Sequence, residues 1–154
     1  MRLSSLADYA VLMMSAAARH CGAAKVNATT LAAETGIPLP TAQKLVSRLS
    51  AAGLFESTRG TGGGVRLSRP PAAISLADIV EAVEGPIAMT ACVDTSRHDC
   101  ALEGGCAVRP HMGIVNNVIR DALASVSLAS LSRAPAQAAA MHSKAPALAG
   151  AQIQ

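Results

Sequence analysis

Two short amphipathic helices separated by a single glycine, and followed at once by a glycine-rich hairpin, occupy residues 27–67. Few small folds accommodate that order. Asn27 is placed to cap a helix and Gly36 to stop it, with Leu31 and Ala32 facing inward and Ile37 plugging the corner. A further helix begins near Pro40, a residue suited to a first helical position, where no N–H is needed. Ala42, Leu45, Val46 and Leu49 share its inner face, and Thr41, Gln43, Lys44, Ser47 and Arg48 its outer one. Helix, glycine turn and helix with a polar outer face is the helix-turn-helix pattern of DNA readers. A plain helical hairpin would read the same way.

The next stretch separates the two. Gly53 ends the helix, residues 54–58 read as a strand, and Val65-Arg66-Leu67 alternates as a returning strand. A β-hairpin directly after the second helix is the winged-helix arrangement. The glycines between the strands are not a nucleotide-phosphate loop, because no Gly-Lys-Ser/Thr follows them and a strand, not a helix, comes next. Arg59 and Gly60 sit at the wing tip, where an arginine can enter a narrow, electronegative minor groove; a solvated turn arginine is the plainer alternative. Gln43 can pair with adenine and Thr41 can touch a base or a phosphate, whereas Lys44 and Arg48 suit phosphates. Arg2 and Arg66 complete the candidate DNA-contacting set.

Aromatic residues make up 1% of the chain, Tyr9 and Phe55 alone, so the core must be aliphatic and mainly helical. That shortage also excludes a single-strand binder built on stacking platforms. Residues 1–70 carry eight Lys/Arg against three Asp/Glu, which fits a phosphate-bearing partner such as double-stranded DNA. Residues 71–109 reverse the balance, two against six. No basic stretch followed by a continuous apolar run opens the chain, and no run approaches the ~18 apolar residues of a membrane span, so a cytoplasmic protein with no membrane partner is expected.

Helices flank this basic module. The first runs to about His20, with Ser5 and Asp8 as a capping-box-like start and Leu6, Ala10, Met13, Met14 and Ala17 as a core face. Another is capped by Ser75, runs through Val83 with Ile79 and Val80 inward, and closes at Gly85-Pro86. Past the cysteines, a long helix is expected from about Pro110 to Leu131. Its apolar residues Val115, Val118, Ile119, Ala122, Leu123, Val126 and Leu131 lie opposite Asn116, Asn117, Arg120 and Asp121, a pattern that reads as a homodimer seam. Residues 133–154 read as a disordered tail. The expected division is 1–69, a winged helix-turn-helix; 70–109, a connecting helix and cysteine loop; 110–132, a dimerisation helix; and the tail.

Cys92, Cys100 and Cys106 are spaced C-x7-C-x5-C, too wide for the paired knuckles of a structural zinc site. Thiolates are soft ligands that suit iron–sulfur clusters or zinc, and a loop containing glycines lets three converge. In a reducing compartment, cysteines are more often ligands than disulfides. Cys21, at the end of the first helix, reads as a small buried thiol. No nucleophile–base constellation suggests an enzyme, and no small-molecule substrate is implied.

The chain resembles the Rrf-type winged-helix regulators. The resemblance is carried by Met1-Arg2-Leu3, Asp8-Tyr9-Ala10, Gly36-Ile37-Pro38-Leu39-Pro40-Thr41, Arg59-Gly60 with Gly62-Gly63-Gly64, Ile74-Ser75-Leu76-Ala77-Asp78-Ile79, Glu84-Gly85-Pro86-Ile87 and the three cysteines. It covers about residues 1–132 and looks most like the branch regulating the SUF iron–sulfur assembly system. It implies a homodimer reading a two-fold operator, with a cluster on Cys92, Cys100 and Cys106 that tunes operator affinity. The IscR-like branch places a histidine three residues after the third cysteine, where this chain has Arg109. The NsrR-like branch uses an aspartate near the start of the first helix, given by the partner subunit, and Asp8 matches it. Asp8 is equally suited to the helix dipole, and His111 and His98 are the other candidates for fourth ligand. Three cysteines and an oxygen ligand lean toward a 4Fe–4S cluster over 2Fe–2S. The rivals are a cluster-free thiol- or zinc-based regulator and an iron–sulfur electron carrier.

Overall fold

The computed structural model describes residues 3–21, 25–58, 60, 63–94, 100 and 105–133. Expectations for Arg2, Arg59, His98 and the tail beyond 133 fall outside these residues.

Helix α1 (Ser5–Arg19) is the centre of the fold, with α2, α3, α4, α6 and β2 all packed on it. Its buried residues are mostly small: Ala7, Ala10, Ala16, Ala17 and Ala18 surround Met13 and Met14. Alanines let neighbouring helices approach closely, while the two unbranched methionines fill the gaps left between them. The cap lies one residue earlier than expected. Ser4 is extended and its Oγ accepts from Ala7 N, while its own N–H is held by Glu84 Oε1 at 3.1 Å. With Ser5 already helical, Asp8 has no capping role.

Helices α2 (Ala28–Thr35) and α3 (Leu39–Ala51) form the helix-turn-helix. Asn27 Oδ1 accepts from Thr30 N at 2.8 Å, and Gly36 turns the chain at φ 72°, in the left-handed region that glycine tolerates. Ile37 is buried against the turn. Ala42, Leu45 and Leu49 are buried and Val46 half-buried, so the inner face of α3 is as the periodicity indicates.

Strands β1 (Phe55–Thr58) and β2 (Gly64–Leu67) pair antiparallel, Phe55 opposite Leu67 and Thr58 opposite Gly64. Val26 bridges the free side of β2, its N–H and carbonyl bonded to Val65 at 3.1 and 2.7 Å. Gly64 makes this possible, since a Cβ there would lie 2.7 Å from the Val26 carbonyl oxygen. After a single 3-10 turn (Pro71–Ala73), α4 (Leu76–Glu84) starts on a complete capping box between Ser75 and Asp78.

The last part departs from expectation. The single helix drawn from Pro110 to Leu131 is two: α5 (Arg109–Ala124) and α6 (Leu128–Leu131). Ser127 caps the second, and serines at 125 and 127 favour turns and caps over helix interior. The break lets the chain pair with the start of α4: Leu128 N–H reaches the Ile74 carbonyl at 2.7 Å, and Leu76 N–H the Val126 carbonyl at 2.8 Å. Leu128 is thereby fully buried in the winged-helix core.

The two faces of α5 are also placed in an unexpected sense. Asn116 is the buried polar residue among those described, at 8% exposure, whereas Ile114, Val115 and Val118 are 63%, 43% and 62% exposed. Asn116 packs on the body beside the half-buried Ile119 and Leu123; Asn117, Arg120 and Asp121 are exposed, and Ile114, Val115 and Val118 point out. No described helix is long and apolar enough to cross a membrane.

Candidate nucleic-acid interface and cysteine loop

The outer face of α3 carries Gln43, Lys44 and Ser47 in the open, with Thr41 half-buried at its start. No salt bridge between described residues involves Lys44, so its charge faces outward undirected. Arg48 differs. Its Nη1 donates to the Val83 carbonyl at 2.6 Å, which spends part of the guanidinium on α4 and not on solvent. Arg66 on β2 is paired across the hairpin with Glu56, at 2.7 and 2.8 Å, so its charge is offset locally. Gly60 is exposed at φ 102°, and its carbonyl accepts from Gly63 N at 2.8 Å, tightening the wing turn. Of the candidate DNA-contacting residues described, Gln43 and Lys44 therefore stand most openly, with Thr41 beside them.

The cysteines sit between α4 and α5. The segment from Gly85 to Met89 leaves the end of α4 and is clamped by Asn116, whose Nδ2 donates to the Ile87 carbonyl and whose Oδ1 accepts from Met89 N, both at 2.9 Å. Three residues on, Cys92 is buried, with its Sγ 3.2 Å from Thr90 Oγ1. Its thiol lines an open cleft of about 490 Å³ together with Arg109, Pro110, Gly113, Asn116 and Asn117. Cys100 and Cys106 are half-buried, and the Cys106 carbonyl accepts from Arg109 N as α5 begins. All four cysteines are free thiols.

Three uncrosslinked thiols on one loop suit a soft metal centre by their chemistry. No three candidate ligands converge among the described residues. Asp8 is exposed on the first turn of α1, and His111 is exposed on the first turn of α5. Arg109, where one branch would have histidine, forms part of the cleft wall. Cys21 is exposed, not buried, because it lies past the His20 cap of α1 and beyond the last buried turn.

The sequence reading passed over three contacts that organise this region: Asn116 on the backbone of 87 and 89, Arg120 on Glu81, and Arg48 on Val83. Asn116 and Arg120 are four apart, a spacing that puts them on one helix face and could have marked that face as an inward polar one. Arg120 Nε and Nη2 reach the two Glu81 oxygens at 2.9 and 3.1 Å. That hydrogen bond, with the carboxylate charge behind it, raises the Arg120 pKa above its ordinary value and keeps it cationic.

The Rrf2 family model, an iron-dependent transcriptional regulator, matches residues 3–134. The chain is 31% identical over 137 residues to protein aau3 of Rhizobium meliloti, covering 89% of this chain and 88% of that one. It is 33% identical over 131 residues to the HTH-type transcriptional regulator IscR of Vibrio cholerae, covering 85% and 75%. Among solved structures, CymR, the global cysteine regulator of B. subtilis, matches at TM-score 0.66 and 26% identity, over 86% of this chain and 96% of that one. IscR of T. potens matches at TM-score 0.64 and 24% identity, over 96% and 93%, a likeness of fold alone.

Proposed function

The chain belongs to the Rrf2 family of transcriptional regulators, and from that premise we propose that it is a homodimeric, iron–sulfur-dependent repressor of iron–sulfur assembly genes of the SUF type. The observation that carries the reading is the position of the three free thiols. They lie on the loop between α4 and α5, and its entry is held by a buried asparagine on α5. A loop anchored in this way can pass its state to the rest of the fold.

Cys92, Cys100 and Cys106 would hold the cluster, with Asp8 of the partner subunit or His111 as fourth ligand and 4Fe–4S favoured over 2Fe–2S. When bound, such a cluster supplies a redox- and iron-sensitive crosslink among its ligands. The chain's own residues do the remaining tasks. Gln43 and Thr41 read base edges, Lys44 contacts phosphate, and the wing with Gly60 and Arg59 follows the adjacent groove. The outward apolar face of α5, with Ile114, Val115 and Val118, pairs two copies so that the two α3 helices address a two-fold operator. For the operator affinity to respond, the occupied loop must favour one arrangement of the α3 helices, by a coupling of typically ~1–3 kcal/mol.

Serine variants of the three cysteines test the assignment. Each should abolish iron binding and shift operator affinity to that of the metal-free protein, while Cys21→Ser changes neither. A variant at 92, 100 or 106 that keeps full iron and the wild-type response removes that residue from the set. Stoichiometric zinc in a colourless protein would instead favour a cluster-free thiol regulator.

A further inference from the structure

By position on α3, Arg48 belongs with the phosphate-contacting residues, yet its Nη1 donates to the Val83 carbonyl at 2.6 Å. Val83 lies in the last turn of α4, where helix carbonyls have no partner within their own helix. A guanidinium is a suitable cap there, being an ionised donor at the negative end of the dipole. The same turn receives two other elements. Glu81 takes Arg120 from α5 at 2.9 and 3.1 Å, and Glu84 takes the N–H of Ser4 ahead of α1 at 3.1 Å. On α5, one turn before Arg120, Asn116 grips the backbone of Ile87 and Met89, which leads to Cys92. Hydrogen bonds joined by one turn of α5 (Asn116 to Arg120) and the last turn of α4 (Glu81 to Val83) therefore connect the cysteine-loop entry to Arg48 on the recognition helix.

We propose that Asn116 and Arg48 are positioning residues that couple the cysteine loop to the recognition helix within one subunit, with the last turn of α4 as the joint. This rests on the reading that the loop controls operator binding. The joint is stiff enough to transmit. α4 is fixed at its start by the capping box, its buried face holds Ala77, Ile79, Val80 and Val83, and its end is fixed by the contacts above. Movement of the 87–89 backbone must carry α5 with it or break the Asn116 amide bonds, and because Arg120 ties α5 to Glu81, the former pulls on the turn of α4 that holds the Arg48 anchor. Such a contiguous network of hydrogen bonds and packed helices is the physical form coupling takes between separated sites.

The test is a double-mutant cycle on the full-length, metal-free protein, using Asn116→Ala, Arg48→Ala and the double variant. Hydrogen exchange at the α3 amides and affinity for operator DNA selected with the wild type are read for each. Asn116→Ala should change operator affinity about fivefold, the lower range for allosteric coupling, and speed exchange in α3. In the Arg48→Ala background the same change should have less than about a twofold effect. Arg48→Ala should also leave the salt dependence of binding unaltered, whereas loss of a phosphate contact lowers the log–log slope by about 0.9. Additive effects in both readouts, or a slope reduced by that amount, overturn the proposal. If Asn116→Ala does not fold, Asn116→Asp keeps the acceptor for Met89 N, removes the donor to the Ile87 carbonyl, and serves in the same cycle. The protein carries no metal in this experiment, so an additive cycle counts against the coupling alone, and a failed iron count counts against the cluster alone.

Discussion

Arg120 on α5 holds Glu81 on α4 by two hydrogen bonds, 2.9 and 3.1 Å, at the edge of the face of α5 that meets the body. Asn116, one turn earlier on the same face, is buried against the Ile87–Met89 backbone. The apolar stripe of Ile114, Val115 and Val118 is left in water in a single chain. An exposed apolar stripe of this kind marks an interaction surface, and in the proposed dimer a second copy of the same helix would cover it.

Placing a charge on that stripe should therefore separate the subunits. Val118→Glu is expected to convert a dimer to a monomer by analytical ultracentrifugation and to lower operator affinity at least about tenfold, since two half-sites are no longer held together. A Val118→Glu protein that stays dimeric would place the seam elsewhere.

The Asn116 clamp and the Arg120 pair differ in burial, and stability should follow burial. Replacing Asn116 by Leu leaves the Ile87 carbonyl and the Met89 N–H without partners and should cost about 2 kcal/mol in urea unfolding. Arg120→Ala, at a half-exposed surface pair, should barely move the urea midpoint. Equal losses from the two variants would contradict this ordering.

Gly64 is required by contact and not by dihedral angle. Gly64→Ala should push its Cβ against the Val26 carbonyl, break the Val26–Val65 bridge and displace the wing. Faster hydrogen exchange at Val65 and weaker DNA binding are the expected readouts; unchanged protection at Val65 would show that the bridge absorbs the methyl.

Thiol accessibility orders the cysteines. In the metal-free protein, Cys21 should alkylate first and Cys92 last, with Cys100 and Cys106 between them, as read by peptide mass spectrometry over time. Early modification of Cys92 would mean that the loop opens far beyond the arrangement described.

The helix-turn-helix and wing were legible in the sequence because each boundary rests on a local signal: Asn27, Gly36, Gly53 and the alternation at 65–67. The break between α5 and α6 was not, because the three-to-four apolar spacing runs from Val115 to Val126 with no glycine or proline after it before Leu131, and only the burial of Leu128 against Ile74 and α1 decides that the chain must turn. The inward sense of Asn116 was hidden for a related reason. Its partners are backbone atoms, which leave no mark on the residue types at 87 and 89. Arg48 looked like a phosphate contact because its position on α3 is correct for one; the competing acceptor, a helix-terminal carbonyl thirty-five positions away, exists only in three dimensions. Cys21 was misplaced by composition, since cysteine is usually buried, whereas here it falls just past the helix end.

The central claim is that Cys92, Cys100 and Cys106 hold an iron–sulfur cluster whose presence sets DNA affinity. Its most direct test is to purify the protein without oxygen, count iron and sulfide per chain, and titrate one operator before and after the cluster is removed. The account predicts iron and sulfide in equal amounts, a coloured protein, and an operator affinity that changes at least about fivefold on removal. Colourless protein without iron, or the same affinity in both states, would contradict it.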